Sequence, residues 1–183
     1  GELCVGAAIY DNTAPGTFIG EYYYSPGTEN APPFGDLIFT RQDSLIYYPN
    51  SLSFDLDSYG IPLITSENRY GDFQVRWTGS IYVPESGDYE FYINHNAGIR
   101  FYVDGDFLID KWYDGGHNSY TTVTLAQGFH NIELHYYQGD NGGNINFQWH
   151  KIGESYETVV PVDATPSISV TAWEGNTDPY LQG

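Results

Sequence analysis

The stretch YEFYINHNAGIRFYVDGDFLID, residues 89–110, decides the fold that the sequence predicts. Apolar and polar side chains alternate on both sides of the segment NHNAG, residues 94–98, which is typical of strands with one buried face. The predicted inward positions are Tyr89, Phe91 and Ile93 before this segment, and Ile99, Phe101 and Val103 after it. Asp104-Gly105 then predicts a type I′ hairpin. We interpret residues 94–98 as a hairpin turn that either binds a ligand or only reverses the chain.

The same alternation continues on both sides of this stretch. Further strands are predicted at 18–24, 37–39, 45–48, 73–78, 80–83, 122–125, 132–137 and 145–149. Two polar, glycine-containing loops interrupt the pattern at 111–119 and 138–144. Short strands separated by Gly-rich turns, with no long segment of helical period, predict an all-β antiparallel sandwich or barrel.

The charge of the chain excludes several classes of partner. Six Lys and Arg face 24 Asp and Glu, a formal net charge of −18, whereas nucleic acids and anionic membranes are bound by clustered Lys and Arg. No apolar run approaches the roughly 20 residues of a membrane span. The acidity provides solubility, adaptation to salt or cation binding, and the sequence leaves these open. The lone Cys4 provides neither an intrachain disulfide nor a cysteine zinc site.

A series of short motifs points to a known family. The motifs are GEYY at 20–23, FQVRWTG at 73–79, PESGDYEF at 84–91, RFYVDG at 100–105, IDKW at 109–112, LAQG at 125–128 and FQW at 147–149. In this order they make the chain resemble, over about residues 16–151, the PA-fourteen domain family of anthrax protective antigen. That family also occurs in yeast flocculins, epithelial and bacterial adhesins, glycosidases and toxins. The resemblance implies an antiparallel β-sandwich or jelly-roll-like barrel over residues 16–160. Residues 1–15 would form an N-terminal extension, and residues 161–183 a C-terminal strand and linker tail.

The resemblance also implies where a metal would bind. Lectin-like members carry an Asp-Asp pair, joined by a cis peptide, that binds Ca²⁺, and a second loop completes the site. The position of that pair falls here on Asn96 and Ala97. The side chain of Asn96 offers one neutral oxygen, and the side chain of Ala97 offers no ligand. The resemblance therefore implies at most a weak calcium site, and a metal-free site is the alternative. Its candidate ligands are Asn96, Gln138, Asp140, Asn141 and Asn144.

The two loops also suggest a saccharide site. Sugar recognition combines polar groups for hydroxyls with aromatic walls. The polar candidates are Asn94, His95, Asn96, Gln138, Asp140 and Asn141, and the aromatic candidates are Trp112, Tyr113 and Tyr137. His95, like His117 and His150, is interpreted as a residue of a polar face. The alternative is that both loops are solvated turns, because Asn, Asp and Gly are common turn formers.

Three functions follow as hypotheses. The first is a non-catalytic, lectin-like domain of a secreted or cell-surface adhesin or multidomain polysaccharide-acting protein. Its partners are a glycan or polysaccharide and the other domains of a larger chain. The second is a structural or protein-interaction module without sugar binding, which the Asn96-Ala97 replacement favours. The third is an enzyme, for which the sequence shows no assembled catalytic motif such as a metal-binding His-Glu-x-x-His or a phosphate loop.

Overall fold

The computed structural model describes residues 15–24, 34–49, 73–113, 115–138 and 143–163, and these ranges form eleven β-strands. The strands are β1 (Phe18–Tyr24), β2 (Leu37–Asp43), β3 (Tyr47–Tyr48), β4 (Phe73–Val83), β5 (Gly87–Asn96), β6 (Ile99–Val103), β7 (Asp106–Lys111), β8 (Gly116–Leu125), β9 (Gly128–Gln138), β10 (Asn144–Lys151) and β11 (Glu157–Thr158). No helix in these ranges has the length and hydropathy that crossing a bilayer requires.

The strands form two antiparallel sheets. The six-stranded sheet has the order β2-β1-β4-β9-β6-β7, and the five-stranded sheet has the order β11-β10-β5-β8. The short strand β3 also pairs with β10, on the edge that β10 shares with β11. The predicted all-β antiparallel sandwich is confirmed.

The core lies between the sheets and consists mainly of aromatic side chains. Every predicted inward position of residues 89–103 is buried, and Trp77, Phe91 and Phe101 have no exposed surface. Ring contacts join the two layers: Phe91 of β5 lies 5.0 Å from Phe101 of β6, centroid to centroid. Burying a side chain of this kind contributes roughly 1.5–3 kcal/mol, so the aromatic alternation of the sequence supplies the main force that holds the sheets together.

The segment 94–98 is not a hairpin turn, contrary to the prediction. Strand β5 pairs with β8 and β10, whereas β6 pairs with β7 and β9 in the other sheet. The chain therefore crosses from one layer of the sandwich to the other at this point. In contrast, Asp104 and Gly105 form the predicted two-residue turn between β6 and β7, with φ of 51° and 86°. Both angles are positive, as a type I′ turn requires.

A buried ionic cluster, which the sequence patterns do not predict, joins β1, β2, β3 and β4. The carboxylate of Asp43 accepts hydrogen bonds from Tyr22 Oη at 3.0 Å, Tyr48 Oη at 2.9 Å and Trp77 Nε1 at 2.7 Å. Arg41 Nε lies 2.5 Å from the same carboxylate, and the two charged side chains are 8% and 5% exposed. Burial and the neighbouring negative charge raise the pKa of Tyr22 and Tyr48, so both hydroxyls remain donors. We call these five residues the Asp43 cluster.

Candidate functional site

The described ends of the two predicted loops lie at one end of the sandwich, around the crossing from β5 to β6. Asn94, His95 and Asn96 belong to β5, and Ala97 then adopts a φ of 75° that redirects the chain. The N–H of Ala97 donates to the carbonyl oxygen of Gly115 at 3.1 Å, which ties the crossing to the loop before β8. The candidate residues of segment 94–98 thus lie at one end of the sandwich, but residues 94–96 belong to strand β5.

His95 supports the crossing from inside the protein. Its side chain is 1% exposed, which corrects its interpretation as a polar-face residue. Nδ1 donates to the carbonyl oxygen of Ala97 at 2.7 Å, because a carbonyl can only accept, and Nε2 accepts from the hydroxyl of Ser119 at 2.8 Å. Burial lowers the pKa of His95 to about 4, so the ring is neutral near pH 7. With so little exposed surface, His95 positions the loop instead of contacting a saccharide.

The aromatic candidates divide between the interior and the surface. Tyr137 is 2% exposed and packs edge-on against Trp112, with ring centroids 4.9 Å apart. The guanidinium of Arg100, a residue of β6 in the six-stranded sheet, lies 4.8 Å from the centroid of the Trp112 ring. Tyr113 is 43% exposed and contacts the ring of His117. Burial corrects the prediction that Tyr137 contacts sugar, and leaves Trp112 half-buried and Tyr113 accessible on part of its ring.

Gly98 allows the crossing to pack directly against Tyr137. Its carbonyl oxygen accepts a hydrogen bond from the N–H of Tyr137 at 3.0 Å. A Cβ atom at Gly98 would lie 2.1 Å from Cε1 of Tyr137 and 3.0 Å from the Cα of Trp112. A side chain cannot be placed at residue 98 without moving one of these two residues.

Replacement of Gly98 by alanine is therefore expected to lower the free energy of unfolding by about 1–3 kcal/mol, the usual cost of overpacking. Urea unfolding followed by tryptophan fluorescence measures the loss. The matched control is Gly116→Ala, because a Cβ at Gly116 would meet no atom within 4 Å, and its effect should stay within about 0.5 kcal/mol. Equal stability of the two variants would contradict the packing described for the crossing.

The second predicted loop is described only at its two ends. Gln138 is the last residue of β9 and is fully buried, so its side chain has no exposed surface for a sugar or a solvent-accessible metal. A Cβ at Gly143 would lie 2.0 Å from Gln138 Oε1 and 2.3 Å from Tyr136 Oη, so this glycine closes over both side chains. Asp140 and Asn141 lie outside the described residues, and their predicted roles remain predictions.

Amide side chains from three strands form a connected row on the outer face of the five-stranded sheet. Asn144 Nδ2 donates to Asn94 Oδ1 at 2.7 Å, and Asn94 Nδ2 donates to Asn118 Oδ1 at 2.8 Å. The hydroxyl of Tyr92 also donates to Asn118 Oδ1, at 2.9 Å. We call Asn94, Asn118 and Asn144 the amide row. Asn118 was not among the predicted site residues, although its alternation with the inward-facing Ser119 places it on the outer face.

The described part of the predicted calcium site supplies neutral oxygen ligands. Asn96 pairs in register with Asn144 of β10 and Gly116 of β8, at the edge where the loops meet. Within the described ranges, no three His, Cys, Asp or Glu side chains come together as metal ligands. Ca²⁺ sites normally include carboxylates. The only carboxylate among the predicted ligands is Asp140, so the described residues do not by themselves make a calcium site.

A shallow depression of about 730 Å³ lies away from the loops, on the outer face of the six-stranded sheet. Residues such as Thr17, Thr78, Ser80 and Glu133 line it, and its lining contains no aromatic ring. Because saccharide sites normally use an aromatic wall, the loop end remains the better candidate.

Comparison with known sequences gives the family. The sequence model of the PA14 domain, the PA-fourteen domain of the motif series, matches residues 60–163, more than half of the chain. The chain belongs to the PA14 domain family. The match contains the crossing, both loops and the amide row.

One curated relative is an anti-sigma factor. The PA14 domain described here is 30% identical over 97 residues to the anti-sigma-I factor RsgI3 of Acetivibrio thermocellus. The matched region covers 52% of this chain and 15% of the relative. The similarity thus concerns one portion of a much longer protein.

Solved structures show the same fold. An anti-sigma factor domain-containing protein from Clostridium clariflavum superposes with a TM-score of 0.61 at 23% identity, covering 80% of this chain and 45% of the other. The PA14 sugar-binding domain from an RTX adhesin superposes with a TM-score of 0.61 at 20% identity, covering 82% of this chain and all of the other. At these identities the structural matches establish the sandwich fold alone.

Proposed function

We propose that this PA14 domain is a non-catalytic carbohydrate-binding module that recognises saccharides at the loop end. The observation that supports the proposal most is the amide row, because it gathers three neutral hydrogen-bonding side chains beside the loops. The PA14 domain of the RTX adhesin, which is described as sugar-binding, supports the same class of function. We extend the proposal to a secreted or cell-surface location, in an adhesin or a multidomain polysaccharide-acting protein.

The chemistry of the amide row suits sugar hydroxyls. A carboxamide donates two hydrogen bonds and accepts two, and Asn94 uses one of each on its neighbours. The internal bonds fix the orientation of the amides before a ligand arrives, which lowers the entropy lost on binding. The exposed ring of Tyr113, in the loop before β8, provides an aromatic surface at the same end.

The test of the proposal is a glycan array probed with and without a calcium chelator, followed by calorimetry on the best oligosaccharide. Asn94→Ala is expected to weaken binding about fivefold, because losing a net hydrogen bond costs about 1 kcal/mol and tenfold would require about 1.4 kcal/mol. The matched control is Asn131→Ala, which removes an exposed asparagine from the other sheet and should leave affinity unchanged. Absence of binding to any glycan in both conditions overturns the proposal.

Calcium is tested separately by calorimetric titration. Wild type is compared with Asp140→Ala, which removes the predicted carboxylate, and with Asn96→Asp, which restores one carboxylate at the family position. Asn96→Asp is expected to bind Ca²⁺ more tightly than wild type, because a charged oxygen ligand replaces a neutral one. Tight binding by wild type that Asp140→Ala leaves unchanged would show that the metal lies elsewhere.

A structural or protein-interaction module is the alternative function. Asn96 and Ala97 stand where lectin-like relatives keep paired carboxylates, and the relatives include anti-sigma factors. In this case the loop end supports a neighbouring domain and binds no sugar. The array distinguishes the two functions, because this alternative predicts no glycan binding by a folded protein.

A further inference from the structure

The outer face of the five-stranded sheet carries four tyrosines, three of them exposed and one, Tyr92, half-buried. Tyr92 of β5 lies opposite Tyr120 of β8, and their rings stack with centroids 4.9 Å apart. Tyr156, just before β11, continues the group 5.5 Å from Tyr92. Tyr47 of β3 lies opposite Asn146 at the other side of the same face. We call Tyr47, Tyr92, Tyr120 and Tyr156 the tyrosine platform.

The rings are held in place and remain accessible. The hydroxyl of Tyr156 donates to the carboxylate of Glu90, and its ring packs on that of His150 with centroids 4.1 Å apart. The exposed fractions are 53% for Tyr47, 54% for Tyr120 and 40% for Tyr156. Single exposed apolar side chains are common, but a contiguous exposed group such as Tyr92, Tyr120 and Tyr156 is typical of an interaction surface.

The platform is almost free of charge although the protein carries a formal net charge of −18. Strand register places Asn146 and Gln148 of β10 between the tyrosines, in line with Asn94 and Tyr92. The neighbouring outward positions of β8 are Asn118 and Thr122. Among the side chains named on this face, Glu90, which bonds to Tyr156, is the carboxylate beside the rings. A polyanion finds no Lys or Arg among these residues, so the face complements a neutral polymer.

The composition of the face favours a glycan as the partner. Its side chains are mainly tyrosines, amides and threonines, with Glu90 and His150 beside Tyr156. Tyrosines also occur at protein interfaces, but the amides between the rings match the many hydroxyls of a polysaccharide. Amides bond to hydroxyls, and tyrosine rings cover the C–H surfaces of sugars. Tyr47 and Tyr120 are separated by three strand spacings, about 15 Å in all. That distance exceeds the width of one sugar ring and suits a chain of several.

We propose that the tyrosine platform binds an extended, neutral polysaccharide laid across the strands of the five-stranded sheet. This inference goes beyond the saccharide site at the loop end because it assigns a role to four tyrosine rings and to the length of a polymer. The rings adjoin the amide row on the same face, where Tyr92 donates to Asn118. Its open, sheet-like form accommodates internal segments of a chain. A domain with both surfaces holds a polymer along its side as well as at its loops.

The test is a binding isotherm on insoluble polymers: microcrystalline cellulose, β-mannan, β-1,3-glucan and granular starch, with polygalacturonate as an anionic polymer. Wild type is expected to bind at least one neutral polymer. The double substitution Tyr47→Ala/Tyr120→Ala is expected to lower its association constant at least tenfold, since ring stacking on both sides of the face is lost. The melting temperature should change little, because both side chains are exposed.

Two control variants make the result specific. Phe107→Ala removes an aromatic side chain that is 51% exposed on the other sheet and stacks on Tyr102, so it should leave polymer binding unchanged. Tyr120→Phe keeps the ring and should retain most of the affinity. The proposal is overturned if wild type binds no neutral polymer, if the double variant binds like wild type, or if only polygalacturonate is bound. It is also overturned if sedimentation shows a dimer that the double variant abolishes.

The experiments can overturn the proposal for the tyrosine platform without overturning the proposal for the loop end, and the reverse. Loss of polymer binding in the double variant, with unchanged oligosaccharide affinity, supports separate roles for the tyrosine rings and the amide row. If Asn94→Ala keeps full oligosaccharide affinity while the double variant loses the polymer, the loop site is wrong and the platform stands. If the double variant keeps the polymer while Asn94→Ala loses oligosaccharide affinity, the platform is wrong and the loop site stands.

Discussion

Replacement of Asp43 by alanine is expected to lower the free energy of unfolding by about 3–5 kcal/mol, because it leaves the buried guanidinium of Arg41 without its partner. The substitution also removes the acceptor for the Tyr22 and Tyr48 hydroxyls and for the Trp77 indole N–H. Each buried donor left without an acceptor costs free energy of its own. The loss reaches four strands at once, since β1, β2, β3 and β4 all contribute to the Asp43 cluster.

Chemical denaturation of wild type and Asp43→Ala measures this effect. The matched control is Asp110→Ala, which removes a carboxylate 3.1 Å from Arg100 Nε at a site where the Asp110 side chain is 52% exposed. An ion pair this exposed contributes about 0–1 kcal/mol. A loss at Asp43 no larger than the loss at Asp110 would contradict the buried character of the cluster.

Acidification from pH 6.5 to 4 is expected to remove about 3 kcal/mol of stability through His95 alone. Burial, together with the nearby His117 and Lys111, lowers the pKa of His95 to about 4, against about 6.5 in an unfolded chain. The unfolded state therefore takes up a proton first as the pH falls. The contribution is complete above pH 6.5, declines through the interval and is lost below the folded-state pKa.

The measurement is the pH dependence of unfolding in wild type and in His95→Gln, which keeps a polar side chain but does not titrate. Carboxylates contribute equally to both proteins, so the difference between the two slopes isolates His95. The slope of wild type should exceed that of the variant between pH 4 and 6.5. Parallel slopes would mean that His95 is accessible to protons in the folded state, against the burial of its ring.

The sequence predicts the strands and the core well, for a physical reason. Successive residues of a strand face opposite sides of the sheet, so odd and even positions lie on different faces. The alternating pattern Tyr89-Phe91-Ile93 therefore directly predicts burial, and the structure confirms it. The same parity places His95 inward, yet a polar residue type suggested an outward position. The alternation therefore predicts the burial of His95 correctly, whereas its polar residue type suggested the wrong face.

Parity does not tell which sheet a strand joins. Strands β5 and β6 alternate as two arms of a hairpin would, and only the pairing of β5 with β8 and of β6 with β9 assigns them to different layers. Long-range register is equally needed to bring Asp43 of β2 to Trp77 of β4, or Asn118 to Asn94. These contacts join residues far apart in the chain, so the short motifs of the sequence do not reveal them.

The first and last residues of the described domain lie side by side, which has a mechanical consequence. Pro15 forms a β-bridge with Val162, the N–H of Gly16 donates to the carbonyl oxygen of Pro161 at 3.0 Å, and Val162 also bonds to Ser80 of β4. A tension applied through the flanking segments is therefore carried by these few backbone bonds at one place. The two sheets, with the loop end and the tyrosine platform, lie outside the line of force until those bonds open.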